Sequence, residues 1–382
     1  VLKNNFNSYE LILVNDKSLD DSWNIITDLC KSYSWIKGIE LRKNVGQHNA
    51  ILAGLKYTEG DAIITMDDDG HCNHCITALE EMPIVMRRGE AGRMHMKEMV
   101  AAIRQRNKNR DYDAVIGLSG GVDSSFAVIV AHNAGLRLLA VHCDTGWNSE
   151  EATHNIHSLV NTLGIDLETV VIDWDSMRDL QAAFFWASVP NCDIPQDHAI
   201  VAVNNQVAAN VGVKDFISGG NFSSESILPS AWGHDARDLK HLRTISRQFG
   251  NGCLRGFPSM GALKAYVWMP FVRGVRTYRI LNDVEYNREQ AKEELKRNYG
   301  WKDYGGKHHE SRFTRFFQAH YLPEKFGYDK RRAHFSSVIV AGQMTKEDAQ
   351  TKLEEPLYDS RKLELDREYF LKKLRLSDKQ WE

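Results

Sequence analysis

The chain has 382 residues, of which 42% are hydrophobic and 26% are charged, and its formal net charge is −3. This composition excludes a disordered chain, gives no global basis for non-specific nucleic-acid binding, and is sufficient for two or three packed domains. The longest apolar runs, such as FAVIVA, fall far short of a bilayer span. We therefore expect a cytoplasmic protein without a membrane span.

Residues 9–69 alternate strand and helix patterns. YELILV is a buried-strand run, DDSWNIITDLCKSY has apolar residues at helical spacing, and IKGIELR is a second strand. NVGQHNAILAGLKYTEG predicts a helix that ends at Gly60, and DAIITM predicts a third strand. A βαβαβ order of this kind favours a parallel sheet, here a half-domain over residues 1–69.

Residues 70–110 combine a cysteine pair with a basic segment. GHCNHC places Cys72 and Cys75 at CxxC spacing, the only such pair among the six cysteines, which favours reduced thiols over a disulfide framework. The run RRGEAGRMHMKEMVAAIRQRNKNRD predicts a helical connector with a solvated basic face. Nucleic-acid binding is the alternative, but no aromatic residues interleave with these charges for base stacking.

A second α/β pattern occupies residues 111–230. YDAVIGL, LRLLAVHCD, LETVVID and KDFISGGN predict strands, and helical patterns separate them. The order predicts an α/β fold with a doubly wound parallel sheet of the nucleotide-binding kind. Residues 231–382 are aromatic-rich and mostly helical by pattern, and we expect them to form a substrate-binding region.

The string SGGVDSS follows an apolar strand and opens a helix. Gly120 and Gly121 let the backbone turn tightly near an anion, and N–H groups at the start of the helix point at it. The hydroxyl groups of Ser119, Ser124 and Ser125 add donors. An acid beside phosphates would repel them, so Asp123 makes sense if it holds Mg²⁺. The string therefore predicts a phosphate-binding loop, against the alternative of an ordinary glycine turn.

This string resembles the SGGxDS signature of the PP-loop ATP pyrophosphatases, which have an adenine nucleotide alpha hydrolase-like fold. No GK[ST] follows, as a Walker loop would require. The resemblance implies that ATP is cleaved between its α- and β-phosphates and that AMP is transferred to a carbonyl-type oxygen. Asp144, at the end of the next strand, is expected by the adenine or ribose, and the far side of the site is expected to consist of Gly219, Gly220 and Asn221.

Four further stretches resemble N-acetyl sugar amidotransferases of surface-polysaccharide, O-antigen and nonulosonic-acid pathways. They are DTGWNSEEATHNI, PNCDIPQDHAI, ISGGNFSSE and the long GGKHHESRFTRFFQAHYLPEKFGYDKRRAHFSSVIVAGQMTKEDA. The resemblance covers about residues 67–382 and implies conversion of an acetamido group into an acetamidino group through an adenylated intermediate. It also implies a nucleotide-linked N-acetyl sugar as substrate and a separate glutaminase subunit that supplies ammonia.

The resemblance singles out further site residues. We expect Asp123 and Lys307 to be catalytic, and Asp193 and His198 to contact the substrate. Residues 307–332 hold seven basic against three acidic side chains, an excess that could bind the diphosphate of a nucleotide sugar. The candidates in this segment for substrate binding are His308, Arg312 and Arg315. The alternative for the segment is the solvated face of an amphipathic helix.

The beginning of the chain resembles a family 2 glycosyltransferase. LVNDKSLDDSW matches its strand and acidic loop, which would place Asp16 at the nucleoside, and ITMDDD matches its DxD motif, in which Asp67 and Asp69 would carry a divalent metal. The catalytic base and the acceptor half of that family never follow. We therefore expect a half-domain without transferase activity and a vestigial DxD.

GHCNHC resembles the second half of the zinc knuckle near the start of the amidotransferases. A structural zinc requires four ligands, and no second CxxC lies upstream. The sequence therefore favours the absence of an intact zinc site, with a residual site at Cys72 and Cys75 as the alternative. The stretch MDDDGHCNHC is the point where the resemblance to a family 2 glycosyltransferase ends and the resemblance to the amidotransferases begins.

Three alternatives to the amidotransferase interpretation remain. Family 2 glycosyl transfer would need the acceptor half, and a tRNA-thiolating PP-loop enzyme would need a basic RNA-binding surface and a further cysteine pair. A non-catalytic fusion fragment is the third.

Overall fold

The computed structural model describes residues 9–59, 71–229 and 232–381. The chain divides into two compact units, Val1–Ile76 and Thr77–Glu382. The strand predicted over residues 61–66, together with Asp67 and Asp69, lies outside the described residues.

The first unit is built on a parallel strand pair. β1 (Leu11–Asn15) is followed by α1 (Ser22–Ser32), and β2 (Ile36–Glu40) by α2 (Gln47–Leu55). The two strands pair with Leu11 opposite Ile36. The four elements of the predicted βαβαβ order that fall on described residues therefore form in the expected order.

α2 ends at Leu55, so the predicted end at Gly60 is wrong. The N–H groups of Lys56 and Tyr57 turn back onto the carbonyls three residues earlier, at 3.3 and 2.9 Å, and the Thr58 hydroxyl donates to the carbonyl of Leu55 at 2.8 Å. These bonds satisfy the last carbonyl groups of the helix and close it early.

Two helices, α3 (Asn73–Val85) and α4 (Gly89–Arg106), occupy the predicted connector. The expectation of a solvated basic face is only partly right for α4. Ile103 is fully buried, and Arg106 donates to the buried carboxylate of Asp215 at 2.6 Å. One basic side chain of the segment is thus a structural partner of the sheet.

The second unit contains a five-stranded parallel sheet in the order β5-β4-β3-β6-β7. Its strands are β3 (Ala114–Gly117), β4 (Leu138–Asp144), β5 (Asp166–Val171), β6 (Asp215–Ser218) and β7 (Arg276–Arg279). The chain winds outward from β3 through β4 to β5 and then returns to the other side of β3. The switch point, where ligands bind in doubly wound sheets, therefore lies between β3 and β6.

Helices cover both faces of this sheet, because successive side chains of β3 pack into two different hydrophobic cores. Val115 packs in a core with Phe184 and Phe313, whereas Ile116 packs in a second core with Ile103. The helices of the nucleotide-binding half are α5 (Val122–Asn133), α6 (Glu150–Leu163), α7 (Trp174–Trp186), α8 (Ile194–Asn210) and α9 (Phe222–Glu225). The predicted α/β doubly wound architecture is confirmed.

The later part of the chain is mostly helical, as predicted. Its helices are α10 (Leu239–Phe249), α11 (Arg288–Tyr299), α12 (Arg312–Phe316), α13 (Leu322–Phe326), α14 (Lys330–Val340), α15 (Lys346–Glu354), α16 (Ser360–Leu374) and α17 (Asp378–Trp381). Segments Lys264–Val272 and Phe317–Tyr321 form π-helical turns, and Ile280–Asp283 forms a 3₁₀ turn. The sequence missed β7, which has only four residues and no apolar run.

An aromatic cluster packs the C-terminal helices onto the sheet. Trp147, just after β4, is 1% exposed and stacks on Phe370 of α16 with ring centroids 5.7 Å apart. Phe313 of α12 lies 5.2 Å from the same indole. This packing brings the segment around residue 310 to the strand ends. Among the described residues, no helix is long and apolar enough to cross a membrane.

Candidate functional site

The loop SGGVDSS joins β3 to α5 at the switch point. Gly120 has φ +79°, and a Cβ there would lie 2.4 Å from the carbonyl oxygen of Ala152. A Cβ at Gly219, which follows β6, would lie 2.8 Å from the backbone nitrogen of Ser124. Only glycine fits either position, because the loop is pressed between α6 and the end of β6.

Asp123, in the first turn of α5, lies in a partly buried polar network. The Tyr286 hydroxyl donates to its Oδ1, and Lys307 Nζ lies 3.6 Å from its Oδ2. Lys307 also donates to Ser224 Oγ at 2.7 Å and to a Glu225 carboxylate oxygen at 3.1 Å. Lys307 therefore ties the start of α5 to α9, and the two predicted catalytic residues are brought together.

Glu310 is a second carboxylate at the loop, and no sequence pattern singles it out as a site residue. Ser119 Oγ lies 3.5 Å from its Oε1, and its Oε2 is buried without a hydrogen-bond partner among the described residues. Backbone bonds hold it there, since the Ser149 N–H donates to the Glu310 carbonyl at 2.9 Å. Burial and the nearby Asp123 raise the pKa of Glu310 to about 7. Its position inside the motif GGKHHES was the available signal.

A cavity of about 830 Å³ opens beside the loop. β3, β4 and β6 supply its floor through residues such as Leu118, Cys143 and Phe216, and α8 supplies one wall. The opposite part comes from residues after 307, namely His308, Glu310, Ser311, Thr314, Gln318 and Lys330. The volume is within the range of small-molecule sites.

Some of the predicted site residues line this cavity, and others support its walls. The lining members are Ser119, Ser124, Asp193, Gly219 and His308. Burial and the charge of Lys307 hold the pKa of His308 well below its ordinary value, so this imidazole is neutral.

The supporting members have structural partners. Asp144 Oδ1 accepts from the Gly146 N–H at 2.8 Å, and Asn221 Oδ1 caps α9 by accepting from the Ser224 N–H at 3.0 Å. Gly121 is the N-cap residue of α5, Gly220 donates its N–H to the Ser218 hydroxyl at 3.1 Å, and Ser125 is fully buried.

The structure does not bring His198, Arg312 or Arg315 to the cavity wall. His198 is buried, with Nδ1 2.6 Å from the Ala236 carbonyl oxygen and Nε2 accepting from the Met260 N–H at 3.0 Å. Arg312 donates to Asp366 at 2.7 Å.

Arg315 donates to the same carboxylate and is 8% exposed. Asp366, which lies far along the chain, therefore binds both of the arginines that were expected to contact a diphosphate.

The donor set at the loop fits Mg²⁺. This ion uses one or two carboxylates together with substrate phosphates and waters, and it requires no cage of protein ligands. Asp123 and Glu310 both reach the phosphate-binding loop, and Glu310 has a buried oxygen without a partner among the described residues. An oxygen left in that state is suited to a cation.

The described residues do not fit a structural zinc. Cys72 Sγ and Cys75 Sγ are 3.6 Å apart, but no group of three or more His, Cys, Asp or Glu side chains in the described ranges is arranged to hold a metal. Four ligands are required for such a site.

Three protein families match successive parts of the chain. Residues 1–82 match glycosyl transferase family 2, and residues 95–188 match NAD synthase. Residues 310–382 match the family described as LPS biosynthesis protein WbpG-like, C-terminal domain. Successive parts of the chain are thus similar to a family 2 glycosyltransferase, to NAD synthase and to the C-terminal domain of WbpG-like LPS biosynthesis proteins. The NAD synthase-like segment contains the SGGVDSS loop and implies the use of ATP.

Curated relatives match only a short part of the chain. The undecaprenyl-phosphate 4-deoxy-4-formamido-L-arabinose transferase of Shewanella sediminis (strain HAW-EB3) is 42% identical over 85 residues, 22% of this chain and 24% of that protein. The enzyme of the same name from Enterobacter sp. (strain 638) is 33% identical over 102 residues, 26% of this chain and 28% of that protein. The chain therefore spans about a quarter of the length of these relatives.

Solved structures with similarity to the chain include two synthetases. NMN synthetase from Francisella tularensis has a TM-score of 0.29 at 13% identity, over 57% of this chain and 98% of that one. The NH3-dependent NAD synthetase from Campylobacter jejuni subsp. jejuni NCTC 11168 has a TM-score of 0.27 at 17% identity, over 41% of this chain and 72% of that one.

Proposed function

We propose that the protein is an ATP-dependent amidotransferase that converts the acetamido group of an N-acetyl sugar into an acetamidino group. One observation carries the proposal: two family segments share one cavity. Ser119 and Ser124 come from the NAD synthase-like segment, and Ser311, Thr314 and Lys330 come from the WbpG-like C-terminal domain. An ATP-activating loop thus faces a wall that belongs to a family of LPS biosynthesis proteins.

The chemistry explains the need for ATP. An amide carbonyl is a poor electrophile, and its oxygen is a poor leaving group. Transfer of AMP to that oxygen releases pyrophosphate and gives an O-adenylated imidate, which ammonia attacks at carbon while AMP departs. Backbone N–H groups at the start of α5 and the hydroxyls of Ser119 and Ser124 are suited to stabilise the charge that develops on the phosphates.

Asp123 and Glu310 are the residues that would hold Mg²⁺, which would offset the negative charge of the triphosphate when bound. Lys307 acts as a positioning residue in this scheme. It contacts Asp123, Ser224 and Glu225, so it would hold α5 and α9 in fixed positions on either side of the bound phosphates.

The proposed substrate is an N-acetyl sugar, nucleotide-linked in the simplest version, and the proposed ammonia source is a separate glutaminase subunit. Of the basic side chains expected to hold a diphosphate, Lys330 lines the cavity, whereas Arg312 and Arg315 are engaged by Asp366. Contact with a diphosphate in this cavity therefore falls to Lys330 and the loop.

The test is a coupled assay with ATP, Mg²⁺, ammonium chloride and a panel of UDP- and CMP-linked N-acetyl sugars. We expect AMP formation that depends on one sugar, together with the mass decrease of about one unit that replacement of O by NH produces. Asp123→Asn should lower this activity by at least about 100-fold. Asp175→Asn, an exposed carboxylate of α7, is the matched control and should leave it unchanged. AMP release that is independent of any sugar would contradict the proposal.

A further inference from the structure

One face of α8 forms a polar stripe along the cavity. Asp193, just before the helix, and then Asp197, Ile200 and Asn204 follow one another at helical spacing, and all four line the cavity. Asn204 lies beside the strand that carries the loop, since its side-chain Nδ2 would be 3.2 Å from a Cβ at Gly117. The stripe therefore runs along the wall from Asp193 to the phosphate-binding end.

Two acceptor groups on this stripe, on Asp197 and Asn204, have no hydrogen-bond partner among the described residues. Asp193 Oδ1 is occupied, because it accepts from Gln196 Nε2 at 2.9 Å and from Thr314 Oγ1 at 3.0 Å. The Asp197 carboxylate makes no hydrogen bond or ion pair within the part of the chain that the structure describes. Asn204 is 7% exposed, and its Oδ1 has no partner there either. The Asp197 carboxylate and the buried Oδ1 of Asn204 are acceptors, so they match a ligand that presents N–H donors.

The charge of the wall points the same way. The surrounding cavity walls and the neighbouring Asp193 raise the pKa of Asp197 to about 7, and Lys330 opposes that shift, while the side chain itself stays exposed in the open cavity. A carboxyl group destabilised in this way binds cations well and anions poorly. Asp235 also lines the cavity, but its carboxylate is already engaged by Arg237 at 3.0 Å and by the Tyr266 hydroxyl.

We propose that the α8 stripe is a subsite for a cationic nitrogen group, which takes ammonium before amidation and holds the amidinium group of the product afterwards. This inference rests on the proposed function for the identity of the ligand. Asp197 is the catalytic residue of the subsite, because its free carboxylate faces the space that the reacting nitrogen would occupy.

The step balances without any further reactant. The Asp197 carboxylate takes one proton from ammonium, and the lone pair of the resulting ammonia forms a C–N bond to the imidate carbon. The C–O bond to AMP breaks with its electron pair on the departing phosphate oxygen. A proton moves from the new nitrogen to the former amide nitrogen, and the product amidine carries its positive charge beside Asp197 once the carboxyl proton has returned to solvent.

Acetamidinium and acetamide test the subsite without any turnover. They have nearly the same shape, but only acetamidinium is charged. By ligand-observed NMR at fixed ionic strength and pH 8, we expect acetamidinium to bind at least about tenfold tighter than acetamide. Asp197→Asn should weaken acetamidinium by about tenfold, whereas Asp235→Asn, in the same cavity with an engaged carboxylate, should change it by less than about twofold.

A variant that binds acetamidinium more tightly cannot be explained by misfolding, so it complements the loss expected of Asp197→Asn. Lys330→Met removes the positive charge that opposes a cation, so acetamidinium should bind about threefold tighter. The affinity of the wild-type protein should rise as the pH passes upward through 7, because Asp197 then loses its proton while acetamidinium stays charged. The other titratable or charged groups in the cavity remain in Asp197→Asn, namely His142, Cys143, Asp193, His234, Asp235, His308, Glu310 and Lys330. Because Glu310 also loses its proton near pH 7, the rise in that variant should be smaller than in the wild-type protein, by the part that Asp197 contributes.

The outcomes separate the subsite from the proposed function. If a sugar supports AMP formation, Asp197→Asn should retain sugar-dependent ATP–pyrophosphate exchange while ammonium-dependent amidation falls by about 100-fold. If no sugar supports AMP formation, the proposed function fails, and the acetamidinium titration still decides the subsite. Equal binding of acetamidinium and acetamide, or an unchanged affinity in Asp197→Asn, would overturn it.

Discussion

The two units of the chain contain the same local arrangement, a parallel strand followed by a glycine-capped helix, but their carboxylates are placed differently. In the first unit, Asp16 accepts the N–H groups of Val45 and Gly46, both at 2.7 Å, so its oxygens tie two loops together. In the second unit, Glu310 reaches the corresponding loop with a buried oxygen that has no partner among the described residues. One carboxylate has a structural role, whereas the other is poised for a ligand.

The difference follows from how much each sheet is covered. α1 of the first unit has no fully buried residue, whereas β3 of the second unit lies between two cores. A carboxylate can be held in an unfavourable, ligand-ready state only where the surrounding packing is strong enough to offset its cost. The first unit lacks such packing in its described residues, and the second unit has it on both faces.

Substitution of Gly120 and of Gly46 by alanine should give the largest difference in stability and activity between the two units. Gly120→Ala places a Cβ 2.4 Å from a backbone oxygen at φ +79°, and Gly46→Ala meets nothing within 4 Å at φ +84°. We expect Gly120→Ala to abolish AMP formation and to lower the free energy of unfolding by about 3 kcal/mol or more. Gly46→Ala should cost about 1–3 kcal/mol, because φ +84° with ψ 154° is a conformation that essentially only glycine adopts, and it should leave AMP formation unchanged. Chemical denaturation and the AMP assay measure both effects.

Equal losses in the two variants would contradict this comparison, because strain alone would then explain both. Loss of activity in Gly46→Ala without loss of stability would show that the first unit takes part in the reaction.

The phosphate-binding loop was predicted from a local sequence pattern. The contacts that the sequence did not predict join residues that are far apart along the chain. SGGVDSS was recognisable because its glycines and serines directly follow an apolar strand. Glu310 is 191 residues from its loop partner Ser119, and no local pattern connects them. The sequence suggested that Arg312 and Arg315 bind phosphate because their shared ion-pair partner, Asp366, comes from a different helix. The short strand β7 was missed because it has no apolar run to mark it.

The pH dependence of stability in Glu310→Gln should show whether this carboxylate is held for a ligand, unlike Asp16 in the first unit. The folded protein holds the pKa of Glu310 at about 7, above its ordinary value of 4.5. Between these values the folded state keeps a proton that the unfolded state has lost, so this carboxyl destabilises the protein increasingly as pH rises, and fully above 7. Glutamine mimics the protonated form. We therefore expect it to raise the free energy of unfolding by about 1–3 kcal/mol at pH 8 and by little at pH 4.5.

The same variant should lose AMP formation while it gains stability, a combination expected of a functional residue and not of a structural one. Glu150→Gln, at the exposed start of α6, is the control, and it should not combine a gain of stability with a loss of AMP formation. Destabilisation of Glu310→Gln at pH 8 would show that the carboxylate is needed for folding and would reverse our interpretation.

Asp16→Ala should have the smallest effect on catalysis, although the glycosyltransferase resemblance places this residue at a nucleoside. Its two oxygens are occupied by backbone N–H groups, so its loss should loosen the loop at residues 45 and 46 at a cost of about 1–2 kcal/mol to the first unit. Hydrogen exchange should speed up in residues 9–59 and stay unchanged in residues 114–144. AMP formation should remain within about twofold of the wild-type rate, because the phosphate-binding loop and both faces of its sheet belong to the other unit. A large loss of AMP formation with unchanged exchange at residues 45 and 46 would instead assign Asp16 to a nucleotide and make the first unit a working part of the enzyme.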